Sequence, residues 1–284
     1  MTILTLAVLF AGTLAFAGAT AAAVLYLAHK RGAALNLTRR LALLGAGLFL
    51  LALLLRGIAW HTLPMTTAAD ALVVFVIFAT VVMFVSARDT TRAVASFYAP
   101  ALFVLAVLGA SLAPATFGHA PKELRGLFLA VHVGLAFLAY AFFLGASVAS
   151  VAYLFQSRHL KKHRTVGLFQ ALPPLERLDK SLYRLIHHGY VMFAATLLTG
   201  AIWARVDRAL LGPHWFLAPK VLQSVVMFLF YAFVFHGRQC GLLRGRKLAF
   251  AVLIGFSAML GIYLARTVLN LSYYYFWEPS AWAS

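Results

Sequence analysis

The stretch LFLAVHVGLAFLAYAFFLGASVASVAYLF, Leu127–Phe155, contains no charged side chain and a single histidine, His132. As a helix rising about 1.5 Å per residue, it can cross a hydrocarbon core roughly 30 Å thick. It lacks the alternation of polar and apolar positions that marks a half-buried strand. Inside a bilayer a segment must satisfy its own backbone polar groups, so this run has to be a helix.

Outward from it lie seven more apolar runs, at about 3–27, 41–60, 70–86, 97–114, 185–204, 218–236 and 248–269. Hydrophobic residues make up 63% of the chain and mean hydropathy is +0.91, far outside the range of soluble globular proteins. The fold class is therefore all-α: a polytopic membrane helical bundle with eight transmembrane helices, forming a single integral membrane domain over 1–284. The first run lacks a basic leader region and exceeds the usual signal-peptide core, so it is expected to stay as a span. The longest polar piece, Gln156–Arg184, contains Pro173-Pro174, which stops a helix. The following LERLDKSLYRLI is expected to form a separate short surface helix leading into span six. Small residues at every fourth position of span one (Ala7, Ala11, Ala15, Ala19, Ala23) and at Thr196 and Gly200 of span six suit close helix packing.

The formal charge of +17 is topological rather than a nucleic-acid signature. Of the 24 Lys and Arg, 17 lie in alternate loops, Lys30–Arg40, Arg88–Arg92, Arg158–Arg184 and Arg238–Lys247. Cations concentrate on the cytoplasmic side of membrane proteins. With eight spans both termini then face the periplasm of a bacterial cytoplasmic (inner) membrane. The spans hold no chain of Asp and Glu of the kind a proton pump or cation-coupled transporter uses. Cys240 is the single cysteine, so no internal disulfide can form.

Histidines carry the remaining chemistry. His132 lies inside the outer end of span five, His236 at the inner end of span seven, and His187 and His188 open span six near the same inner face. Imidazole is a good axial ligand for haem iron, and a haem site in a bilayer also wants aromatic walls and cations for the propionates. The outer face offers His132, His61 and His214 as ligands, Trp60, Trp203 and Trp215 as walls, and Arg56, Arg125, Arg205, Arg208 and Lys220 as cations. An ordinary reading stays open for each. An intramembrane imidazole can be a hydrogen-bonded packing group, Trp at helix ends forms the interfacial belt, and Arg56 and Arg205 can snorkel to lipid phosphate. His29, His159 and His163 accompany loop cations and read as solvated. Zinc fits less well, because there is no HExxH and the adjacent His187 and His188 point about 100° apart on a helix.

Over roughly Arg56 to Leu264 the chain resembles the cytochrome c assembly superfamily of haem-handling membrane proteins, the CcsA and CcmC relatives. Four segments carry the resemblance: RGIAWHTLPMTTAADAL (Arg56–Leu72), LAVHVGLAFLAYAFF (Leu129–Phe143), LDKSLYRLIHHGYVMFAATLLTGAIWA (Leu178–Ala204) and YAFVFHGRQCGLLRGRKLAFAVLIGFSAMLGIYL (Tyr231–Leu264). It implies an outer haem histidine at His132 and a second, inner one at His236. In the outer loop HWFLAPKVL, Trp215, Pro219 and Lys220 match the family's Trp-rich motif, whereas Ala218 and Val221 replace its acids. The segment after the last span reads NLSYYYF where the family carries a further histidine. The pattern is nearest the HemX/YpjD-like branch.

The resemblance thus implies a haem b-binding or haem-handling protein that assists cytochrome c maturation or haem homeostasis, without synthase activity. Axial ligands are expected at His132 and His236, with His187 or His188 beside the latter, and propionate contacts at Arg56, Arg205 and Lys220 next to Trp215. Expected partners are membrane lipids and cytochrome-maturation or haem-synthesis proteins, in a larger membrane complex, with no nucleic acid. The alternatives are a non-haem integral scaffold subunit and a small-solute transporter.

Overall fold

Eight apolar runs become eight α-helices: α1 (Thr2–His29), α2 (Gly32–Trp60), α3 (Ala68–Asp89), α4 (Val94–Leu112), α5 (Leu127–Lys161), α6 (Leu175–Val206), α7 (Pro219–Gln239) and α8 (Arg246–Val268). A 3-10 turn, Trp215–Leu217, precedes α7. The computed structural model describes residues 2–29, 31–60, 68–89, 94–113, 127–161, 172–206, 215–217 and 219–268, and among these there is no strand. Six helices (α1, α2, α5, α6, α7 and α8) are long and apolar enough to cross a membrane. The apolar parts of α3 and α4, Ala69–Val85 and Ser96–Leu112, are shorter, yet at 1.5 Å per residue still reach about 25 Å.

The opening stretch is the axis of the bundle. α5 packs against α3, α4, α6 and α8, and its Ala139, Ala141, Ala146, Ala149 and Ala152 are fully buried. Lipid is as apolar as leucine, so helices associate through close packing rather than water exclusion, and small residues permit it. Phe143 of α5 stacks on Tyr231 of α7, with ring centroids 3.6 Å apart, and meets Phe193 of α6 edge-on at 5.9 Å. On one side α1 packs on α2 and α4, and α3 on α2 and α4; on the other, α7 packs on α6 and α8. The small-residue stripe of α1 is buried only from Ala15 inward, at Ala15, Ala19 and Ala23. Ala7 and Ala11 are exposed.

One expectation is corrected. The segment LERLDKSLYRLI, Leu175–Ile186, is not a surface helix set apart from span six. It is the first turns of α6 itself, which starts after Pro174 and runs unbroken to Val206. Leu178, Leu182 and Leu185 are buried there, because their helical spacing continues the packed face of the span without a break.

Candidate functional site

His132 is the histidine that the fold builds into a helix–helix seam. On α6, Gly189, Phe193, Thr196 and Gly200 recur at spacings of four, three and four, which is one face of a helix. That face lies on α5. A Cβ at Gly189 would stand 2.7 Å from Phe143 Cε1, and one at Gly200 would stand 2.8 Å from His132 Cε1. The imidazole therefore rests on bare backbone. Its Nδ1 lies 3.0 Å from the Thr196 carbonyl oxygen and 3.3 Å from Thr199 Oγ1. A carbonyl oxygen can only accept, so Nδ1 carries the proton and donates, which leaves the Nε2 lone pair available to a metal. Thr199 spends its own proton on the Ala195 and Thr196 carbonyls, at 2.9 and 3.0 Å.

Close to this seam is a cavity of about 90 Å³, smaller than the roughly 300–1,000 Å³ usual for cofactor and small-molecule sites. Phe75 of α3, Phe137 and Tyr140 of α5, and Phe256, Met259 and Tyr263 of α8 line it, with Lys220, Gln223 and Ser224 of α7 as its polar side. Phe75 and Phe137 stack at 6.4 Å across it. His132 is not among the lining residues. An imidazole with a bare Nε2, a cavity walled by aromatic side chains and an ammonium thus occur at the same end of the bundle, and these residue types fit a haem in chemistry, although the cavity itself is smaller than the ring.

Arg56 does not join them. Its guanidinium pairs with the Asp70 carboxylate, and both are buried between α2 and α3. A guanidinium already engaged by a carboxylate at that depth locks two helices together. Arg205 is exposed in the last turn of α6, and Trp203 is half-buried. Trp215 lies in the 3-10 turn, but its side chain, like that of Trp60, falls outside the described residues. So do His61, His119, His163, His214, Arg125 and Arg208.

The inner histidines divide. His187 of α6 and His236 of α7 both face Phe235, at ring distances of 5.4 and 5.2 Å, and Tyr190 stands 6.3 Å from His236. His188 turns the other way. It stacks on Phe142 of α5 at 5.4 Å, and its Nδ1 donates to the Arg184 carbonyl of its own helix at 2.6 Å. His187 therefore reaches α7 through Phe235, and Asp179 and Arg238 also tie α6 to α7 by an ion pair. Both rings are exposed. No cluster of three or more His, Cys, Asp or Glu able to hold a bare metal ion occurs among the described residues.

Reading residues one at a time misses the Thr196 carbonyl, the Thr199 hydroxyl and the Arg56–Asp70 pair. Each had a signal: the Gly189-to-Gly200 spacing for the first two, and opposite charges at facing ends of consecutive spans for the pair. The cavity had none.

Comparison with known proteins agrees with this architecture. A family model described as Cytochrome C assembly protein matches residues 34–271. The chain is similar to Protein HemX of Bacillus subtilis (strain 168), 36% identical over 121 residues covering 43% of this chain and 43% of HemX. It is similar to Cytochrome c biogenesis protein CcsA of Prochlorococcus marinus (strain MIT 9515), 30% identical over 167 residues covering 52% of this chain and 53% of that protein. The match to the same protein of strain AS9601 has those coverages at 28% identity. The chain spans about half the length of the curated relatives it matches.

Proposed function

The chain belongs to the Cytochrome C assembly protein family, and from that premise we propose that it binds or passes haem b in the bacterial cytoplasmic membrane, with both termini in the periplasm. It serves cytochrome c maturation or haem homeostasis beside other membrane-associated assembly proteins. It does so as a haem-handling protein rather than as a synthase. His132 is the outer axial ligand through Nε2, and Lys220 is the cation for a propionate. Haem, when bound, supplies the redox-active iron; the protein holds, orients and shields it.

The observation that carries this reading is the cross-helix contact of His132 Nδ1 with the Thr196 carbonyl. Metal-binding histidines characteristically donate the other ring N–H to a carbonyl or carboxylate, which sets tautomer and orientation. A packing histidine has no need to keep its second nitrogen bare. Arg56 drops out of the propionate set because Asp70 neutralises it. A second, inner site rests on His236 with His187, which flank Phe235 on adjoining helices.

Purified protein, before and after haem addition, should show a Soret band. His132→Ala should lose the outer haem and His236→Ala the inner one. A colourless wild type that co-purifies in fixed ratio with other subunits would mean a scaffold instead, and haem content unchanged in both variants would end these ligand assignments.

A further inference from the structure

We propose that Gly200, with Thr199, is a positioning residue: the bare backbone of α6 is the seat that fixes the His132 ring and selects its Nε2 as the metal-binding nitrogen. The inference deepens the haem reading of His132 and rests on it for the ligand, but the seat itself is a property of the haem-free chain.

Three observations combine. First, the ring occupies the space where a side chain at position 200 would begin, since a Cβ there would stand 2.8 Å from Cε1 and 3.2 Å from Nδ1. Contacts under 3.0 Å force a shift, so any larger residue displaces the ring from this position. Second, the position the ring gains puts Nδ1 on an acceptor of another helix, the Thr196 carbonyl at 3.0 Å. His159 and His188 instead use the carbonyl four residues back on their own helix, Phe155 at 2.9 Å and Arg184 at 2.6 Å. Those contacts form on any helix; that of His132 needs α5 and α6 in one register. Third, Thr199 Oγ1 lies 3.3 Å from Nδ1 with its proton directed to helix carbonyls, so it offers a lone pair that favours Nδ1–H. A mere packing glycine would explain the first observation only.

The control is on the same α5 segment. At Gly134, two residues from His132, a Cβ would meet nothing within 4 Å. Gly134→Ala is the same chemical change beside open space.

The test uses the full-length protein in detergent, labelled with ¹⁵N-histidine. Without haem, the His132 signals, assigned by their loss in His132→Ala, should be those of a protonated Nδ1 and a bare Nε2. Gly200→Ala should convert them to a mixed or reversed tautomer and lower haem affinity by about 10- to 100-fold, the usual cost of losing such a supporting partner. The haem it retains should show a shifted Soret band and midpoint potential. Gly134→Ala should match wild type in every measure. If Gly200→Ala does not accumulate folded, Thr199→Val is read in the same way, with smaller shifts expected in the same signals. An unchanged tautomer in Gly200→Ala (or in Thr199→Val where that stands in), or equal effects from Gly134→Ala, overturns the proposal. A wild type that takes up no haem removes the ligand reading, while the tautomer still decides the seat.

Discussion

Arg56 shows how far a single residue's role depends on its partner. Taken alone, a cation at the outer end of span two is a candidate for any acid group, lipid or propionate. In the fold it meets Asp70, whose side chain is only 2% exposed, across the α2–α3 contact. Removing one member of a buried pair strands the other charge and costs about 3–5 kcal/mol, whereas replacing both with apolar residues of similar volume is near neutral or stabilising. Arg56→Met should therefore lower the thermal midpoint in detergent well below wild type, and Arg56→Met/Asp70→Leu should recover most of the loss. Haem content should be unaffected in the double variant; a loss there would return Arg56 to the propionate set. At His132 the decisive detail is finer still, since it lies in which ring nitrogen faces α6.

At the level of elements, α5 and α6 form the seam on which the candidate site depends. The glycines at 189 and 200 are three turns apart on one face of α6, so both let that helix lie directly on α5. Gly189 receives Phe143, which in turn stacks on Tyr231 of α7. A bulky residue there should push α6 outward, and overpacking of a tight interface costs roughly 1–3 kcal/mol. Gly189→Leu should lower the thermal midpoint and also weaken haem retention, because His132 and its acceptor sit on the two separated helices. Gly47→Leu on α2, where a Cβ meets nothing within 4 Å, should do neither. Retained haem at wild-type affinity in Gly189→Leu would detach the site from this seam. The unbroken α6 belongs to the same scale. Pro173-Pro174 marked where it starts, but the polar turns after it read as a short surface helix, and Leu178 and Leu182 join them to the span by packing.

For the whole molecule, charge distribution sets sidedness. The turn from α7 to α8 carries Arg238, Arg244, Arg246 and Lys247 around the exposed Cys240. Gly241 and Gly245 close it with φ of 76° and 56°, values that glycine adopts without the strain a Cβ would bring. On the proposed topology, the positive-inside tendency puts this turn in the cytoplasm and both termini outside. As the single cysteine, Cys240 reports it directly. A membrane-impermeant maleimide should label it only after the cells are permeabilised, and labelling of intact spheroplasts would invert the orientation and with it the depths assigned to His132 and His236.

The sequence by itself determined the class of molecule, the eight helices among the described residues and the asymmetry of charge. All of these follow from hydropathy and position along a helix, which depend on the solvent a segment meets and on no distant partner. The family resemblance over residues 56–264 could point to His132 and His236 for the same reason, as local patterns of residue type. Only the tertiary structure decided that Arg56 is neutralised by Asp70, that His187 meets α7 while His188 meets α5, and that Thr196 and Gly200 receive the His132 ring. Those outcomes depend on the rotation and register of one helix against another. That register is set jointly by every side chain along the contact, so no single stretch of the chain contains it.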